Sequence, residues 1–309
     1  MAVSFRAGIN IAGFKSHPFR QSIVCAGAGA NPLVASVSAP IFPPMPELAE
    51  VEYFRRRWDV GIGQTILEVK INAGKRIFRG NDLETLQRVL PGAKLVSSEA
   101  RGKQMLFRFT KGAWLGIHLG MTGTLRHERA SLTPSKHDHL VLRQARQSLV
   151  FSDPRLFGRV LFHHGAGRPE WWSRLPPALT SADFTLERMH AFLQRRARSP
   201  LKGVLLQQEF FIGIGNWMAD EILWRAKIHP RRAAGRLSAA EAGAVWKAIR
   251  FVCAGALRIV AKDHSDPPPS WLFRHRWEKG GRCPKDGTEL DRATIGGRTT
   301  AWCPKCQPR

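Results

Sequence analysis

Long apolar runs are missing from this chain of 309 residues. None approaches the roughly 18–20 residues a helix needs to cross a bilayer, so the sequence reads as a soluble protein with no membrane partner. Acidic residues are scarce, with 24 Asp+Glu against 48 Lys+Arg and a formal net charge of +24. Such an excess favours a polyanionic partner, because neutralising phosphates releases condensed counterions. A genome-wide preference for Arg would produce the same balance. Cysteine is sparse too: of the five, Cys283, Cys303 and Cys306 crowd the last 27 residues. That distribution suits a metal site and argues against a disulfide framework. Tyrosine occurs once, beside ten Trp, in a composition that is 43% hydrophobic and 23% charged. This is a globular composition, and the length allows two ordinary domains.

Residues 1–44 contain no Asp or Glu, only three basic residues, and many Ala, Ser, Gly and Pro. They read as an extension of one of three kinds: an acid-poor targeting segment, sequence upstream of a true start at Met45, or a disordered tail. A helix is expected next, with Pro46 at its first position and Glu47, Glu50 and Glu52 facing the positive end of its dipole. Leu48, Val51, Phe54 and Trp58 share one face, and Gly61 is the expected stop. Seven short strands follow to about residue 162: TILEVKI, KLVSSEARG, QMLFRFT, AWLGIHLG, HLVLRQ, SLVFSD and RVLFHH. Their alternation predicts a β-sandwich or barrel.

GAGRP and LPPAL then mark a connector, and the second half is helical. Ser199 reads as a cap and Pro200 as a first-turn residue before LKGVLLQQ. The turn GIGN precedes WMADEILWRA, and Ser238 with Glu241 forms a capping box for a helix reaching about Lys262. The tail reads as two strands joined by Ile295-Gly296-Gly297. The resulting fold class is α+β: residues 45–164 a β-sandwich with a leading helix, 165–184 a linker, 185–270 helical, and 271–309 a hairpin.

Two constellations carry chemistry. Cys303-Pro304-Lys305-Cys306 has zinc-ribbon spacing, with Cys283 upstream and Asp286 where a fourth Cys is expected. Zinc accepts three thiolates and a carboxylate, although a metal-free hairpin is the alternative. No organic cofactor is suggested. Arg298 falls near the hairpin tip, where a guanidinium can reach a phosphate. The GIGN turn presents backbone N–H groups and the Asn216 amide at a helix start, which suits a phosphate oxygen. An ordinary helical hairpin capped by Asn216 is the bland alternative.

Seven segments in order, MPELAEVE, ARGKQMLF, IHLGMTG, KHDHL, DPRLFG, LQQEFFIGIGNWMADEILWRAKIHP and GGRTTAWCPKCQ, resemble the formamidopyrimidine-DNA glycosylase / endonuclease VIII family. The resemblance implies a β-sandwich behind a short helix, a helix–two-turn–helix domain and a zinc-ribbon-like finger. It implies removal of oxidised bases from double-stranded DNA, followed by β,δ-elimination at the abasic site through an imine on an N-terminal proline, here Pro46. An α-amino group has a pKa near 8, so a useful fraction is nucleophilic near neutrality. Glu47 is implied as the general acid, with Glu50 positioning water or the sugar. Lys103 is implied in β-elimination and Arg298 in δ-elimination and phosphate clamping. Met121, Arg155 and Phe157 are implied to fill the stack vacated by the extruded nucleotide. His137 and Asn216 are implied as phosphate contacts; His118 precedes the Met121 loop and packs there. A monomer is expected, and a bacterial chain would reside in the cytoplasm or nucleoid; organelle import is the other route.

Four departures bear on these expectations. Pro46 carries a basic nitrogen only as the amino terminus, so translation from Met45 or cleavage before Pro46 is expected. Ala49 stands where the family usually has proline. Asp286 replaces a cysteine. DHSDPPPSWLFRHRW occupies the region where relatives specific for 8-oxoguanine cap the flipped base, yet it lacks their pattern. Met121, Arg155 and Phe157 favour the purine-type branch. Two rival functions remain: a non-catalytic lesion binder of the same fold, and a general zinc-ribbon nucleic-acid protein.

Overall fold

The computed structural model describes residues 45–309; expectations about residues 1–44 lie outside the described residues. Helix α1 spans Leu48–Arg56, and β1 (Ile66–Ile71) and α2 (Leu83–Val89) follow. Seven further strands complete the first half: β2 (Leu95–Arg101), β3 (Gln104–Phe109), β4 (Ala113–His118), β5 (Thr124–Arg129), β6 (Asp138–Gln144), β7 (Gln147–Ser152) and β8 (Arg159–His164). They form two four-stranded sheets, ordered β1-β6-β7-β5 and β2-β3-β4-β8. Alternate residues of both sheets, among them Phe107, Leu115, Leu142 and Phe151, meet in one buried core, as period-two strands in a sandwich require.

All seven expected strands are present, and β5 is an eighth. Its sequence TLRHER carries a single large apolar residue, Leu125, which is 1% exposed. Polar side chains therefore hide its alternation, and pairing with β7 makes it a strand. Trp58 Nε1 donates to Arg126 O on β5 at 3.1 Å.

α1 differs from its expected start. Glu47 is the N-cap and Pro46 lies one residue before it, so proline sets the approach to the helix and not its first turn. The helix also ends at Arg56, ahead of Gly61, which closes a separate 3-10 turn over Asp59–Gly61. α1 joins two cores: Leu48 and Ala49 pack into the helical half, Val51 into the sandwich.

The helical half comprises α3 (Glu170–Ser173), α4 (Leu186–Gln194), α5 (Leu201–Leu205), α6 (Asn216–Ala226) and α7 (Ala239–Asp263). The N-cap of α5 is Pro200, one residue after the expected Ser199. The capping box of α7 is formed by Ser238 and Glu241. Strands β9 (Asp291–Ile295) and β10 (Arg298–Trp302) pair antiparallel as the finger hairpin, Ile295 opposite Arg298. Among the described residues no helix is long and apolar enough to cross a membrane.

Candidate active site

Where the sandwich meets the helical half, glycine lets three backbones touch. The β2–β3 turn places Gly102 against Ile212 and Gly213, and a Cβ on Gly213 would lie 2.9 Å from Gly102 Cα and 2.8 Å from Leu48 Cδ1. Gly213 has φ +95°, a conformation a side chain would strain. Leu48 N donates to Gly213 O at 3.1 Å, clamping the start of α1 to the turn before α6.

This clamp drives the Glu47 side chain into the start of α6. Its Oε2 accepts from Gly215 N at 2.9 Å and Met218 N at 3.1 Å, and its Oε1 accepts from Trp217 N at 3.0 Å. The acceptor at this helix N-terminus is thus an internal carboxyl group, and one reading of GIGN is corrected. The N-cap of α6 is Gly215, so Asn216 does not cap it. Glu47 takes the backbone N–H groups of Gly215, Trp217 and Met218. The Asn216 side chain is not taken by Glu47: its Nδ2 donates to Thr299 O on the finger at 2.9 Å and retains a second hydrogen.

Burial dominates the protonation of this cluster. Glu47 is 2% exposed, and burial raises its pKa above the ordinary carboxyl value, partly offset by the Lys103 charge and the α6 N–H groups. Glu50 is pushed up to about 7 by burial and by Glu47. It accepts from Glu47 N at 3.2 Å and from Trp217 Nε1 at 3.1 Å. Lys103 is held by the turn after Gly102, and its Nζ donates to Ile214 O at 3.1 Å. Burial lowers its pKa; the Glu47 charge opposes that effect and Arg298 adds to it. Arg298 itself is exposed at the start of β10. Lys103 of the β2–β3 turn is therefore within electrostatic reach of Glu47 at the start of α1 and of Arg298 on the finger, with Pro46 one residue before Glu47.

The remaining sequence-predicted residues sit on two adjoining loops. A Cβ on Gly120 would fall 2.4 Å from the Phe157 carbonyl carbon, so the Met121 and Arg155–Phe157 loops are in backbone contact. Asp153, fully buried, ties them. It accepts from Thr122 Oγ1 at 2.7 Å, Arg155 N at 3.2 Å and Gly158 N at 2.7 Å. Met121 is half-buried, while Arg155 and Phe157 are exposed. The Phe157 ring has the Arg155 guanidinium 4.8 Å and the Arg76 guanidinium 5.1 Å from its centroid. His118 accepts from Gly120 N at 3.0 Å, which gives it a loop-shaping role. His137 borders this surface through its carbonyl, which accepts from Asp153 N at 3.0 Å.

Sequence reasoning passed over Asp153, Trp217 and Gln208. The last bridges Gly213 N at 3.1 Å and Ile214 O at 2.7 Å. Nothing in the local pattern separates these from ordinary polar or core residues; only their partners do.

In the finger, Cys283, Asp286, Cys303 and Cys306 bring their ligand atoms within 4.8 Å of one another. The Cys283 and Cys306 sulfurs are 3.9 Å apart, and Asp286 Oδ2 lies 3.2 Å from Cys306 Sγ and 3.7 Å from Cys303 Sγ. A tetrahedral zinc with bonds of about 2.3 Å to sulfur requires edges of roughly 3.8 Å, so this donor set fits.

The formamidopyrimidine-DNA glycosylase N-terminal domain family matches residues 45–160, and the corresponding H2TH domain family matches residues 175–266. The formamidopyrimidine-DNA glycosylase of Xanthomonas euvesicatoria is 34% identical over 277 residues, covering 85% of this chain and 100% of its own. That of Thermus thermophilus is 34% identical over 279 residues, covering 85% and 98%. Lactococcus lactis Fpg, solved in complex with DNA containing Fapy-dG, superposes with a TM-score of 0.75 at 26% identity, covering 85% of this chain and 100% of that one. With both domain families and relatives matched along nearly their whole length, the chain belongs to the formamidopyrimidine-DNA glycosylase family.

Proposed function

We propose that this protein removes oxidised bases from double-stranded DNA and then cuts the strand, with the amine of Pro46 as nucleophile. The observation that carries the reading is the placement of Glu47: it follows Pro46 in the chain, is buried at the start of α6, and lies close enough to Lys103 for their charges to act on each other, while burial raises its pKa. In this reading the Pro46 nitrogen attacks C1′ of the extruded sugar, and the bond from C1′ to the base breaks with its electrons leaving on the base. Glu47 delivers a proton to the ring oxygen, and opening of the sugar leaves an iminium. Loss of a C2′ proton expels the 3′ phosphate, and a second elimination expels the 5′ phosphate. Lys103 and Arg298 would neutralise the phosphates as these bonds break.

The reading requires Pro46 to be the amino terminus, because a proline nitrogen inside a peptide bond has no basic lone pair. The N-terminal domain family match beginning at Met45 supports a mature chain starting at Pro46. With residues 1–44 attached, the same surfaces would bind lesions without cutting.

Met121, Arg155 and Phe157 would enter the stack, and His137 and Asn216 would hold the bent backbone. Cys283, Asp286, Cys303 and Cys306 would hold one zinc ion, whose chemistry here is structural: it would fix the base of the hairpin carrying Arg298. The segment after α7 bears on substrate. Leu272 N donates to Glu221 Oε2 at 2.7 Å, and the Trp271 ring packs where a Cβ on Gly255 would lie 2.9 Å away. A segment fastened in this way is poorly suited to folding over a flipped base. Formamidopyrimidines and oxidised pyrimidines are therefore the proposed substrates ahead of 8-oxoguanine.

Borohydride trapping on duplexes carrying formamidopyrimidine, 8-oxoguanine or an abasic site tests this, comparing chains that start at Met1 and at Pro46. A covalent adduct formed only when Pro46 is terminal is the expected result. A folded protein with Pro46 free and no adduct would leave the lesion-binding reading.

A further inference from the structure

A buried charge cluster lies beneath the finger. Lys202 on α5, Asp220 on α6 and Arg276 after α7 are 0%, 1% and 3% exposed. Asp220 Oδ1 accepts from Lys202 Nζ at 2.5 Å; Oδ2 accepts from Arg276 Nε at 2.9 Å and Nη2 at 2.6 Å. Two cations thus share one carboxylate, an arrangement that is weak evidence for stability but can fix one geometry among several.

The geometry being fixed is that of β10. Asp220 Oδ2 also accepts from Ala301 N at 3.1 Å. Thr299 O, adjacent to Arg298, accepts from Arg276 Nη2 at 3.4 Å and from Asn216 Nδ2 at 2.9 Å. Lys202 Nζ donates to Asn216 O at 2.7 Å, so the cluster grips both ends of the contact between Asn216 and the finger. The hairpin turn rests on α5 at the same place, where a Cβ on Gly296 would lie 2.7 Å from Gly203 Cα.

We infer that Lys202, Asp220 and Arg276 form a positioning unit that sets Arg298 relative to Asn216, and so decides whether strand cutting continues from the first elimination to the second. The inference rests on the lyase reading above. Imine formation depends on Pro46 and Glu47, held by the α1–α6 contact; within the unit the Lys202 charge acts on Glu47, so the variants are made at Asp220 and Arg276. Loosening β10 moves Arg298 and leaves Pro46 in place, so the two eliminations respond unequally.

The experiment uses a chain starting at Pro46 and a duplex with one abasic site. Borohydride adduct, β-product and β,δ-product are quantified for the unaltered protein and for Arg276→Gln, Arg276→Lys and Asp220→Asn. Melting temperature and bound metal are measured alongside. Arg276→Gln is expected to keep its adduct yield within about twofold while the β,δ fraction falls about fivefold or more, with Arg276→Lys in between. An unchanged product ratio in both Arg276→Gln and Asp220→Asn overturns the inference. So does a parallel fall of adduct and β,δ-product with a lower melting temperature, which marks a cluster that only supports folding. An unaltered protein that forms no adduct defeats the lyase reading, and the inference falls with it.

Discussion

The Glu47 carboxylate occupies the space where a side chain on Gly215 would begin: a Cβ there would lie 2.2 Å from Glu47 Cδ. Two segments 168 residues apart are fitted to each other at the atom that donates the proton in the proposed reaction. Gly215→Ala should therefore expel Glu47 from the start of α6. Overpacking of this kind costs about 1–3 kcal/mol. The expected outcome is a lower urea midpoint together with loss of base excision, and a variant that keeps both would show that the α1–α6 contact is not needed.

Glu47→Gln keeps the size of the side chain and removes its transferable proton. Excision of an intact lesion should slow by about 10²–10⁴-fold, while affinity for a duplex with a stable abasic analogue changes little. Single-turnover excision and a binding titration separate the two. Equal losses in both would assign Glu47 to DNA binding.

The two carboxyls make a pH prediction for the full-length chain. Glu50 titrates near 7 in the folded protein against an ordinary 4.5, and Glu47 is raised as well. The folded state holds these protons more tightly than the unfolded state. The Glu50 contribution is complete below about 4.5 and is lost as pH rises through about 7. Glu50→Gln should flatten this decline, raising the urea midpoint relative to the unaltered chain at pH 8 more than at pH 5. A parallel offset at both values would be evidence against a raised Glu50.

Metal analysis tests the finger. One zinc per chain is expected, with loss from Asp286→Ala and retention in Asp286→Cys, because thiolate and carboxylate can both complete the tetrahedron. Purified protein without zinc would remove the proposed ligand set.

Asn216→Ala deletes the side-chain donor that α6 leaves free of Glu47. The loss should weaken binding to an abasic-analogue duplex about tenfold, the scale of one hydrogen bond to a charged group. Unchanged affinity in a fluorescence titration would exclude a phosphate contact.

The sandwich strands were legible because period-two alternation is a local property; β5 was not, because TLRHER buries one large residue and owes its conformation to β7. The α7 capping box was legible for the same reason, since Ser238 and Glu241 are three residues apart. The zinc-type quartet was readable as spacing, and the family resemblance supplied the order of the motifs. Pro46, Lys103 and Arg298 could be named from their motifs but not placed, since their proximity depends on contacts across the domain junction. The Glu47 partner of GIGN was not legible because it comes from the start of α1, far away in the sequence, and so the cap of α6 falls on Gly215 and not on Asn216. Sequence alone determined the elements, the charge excess and the candidate chemistry, all set within a few residues along the chain. Tertiary structure decided that Glu47 meets the N–H groups at the start of α6, and that Asp220 on α6 joins α5 and the segment after α7 to the finger. Those outcomes turn on burial and on long-range backbone donors, which sequence spacing does not encode.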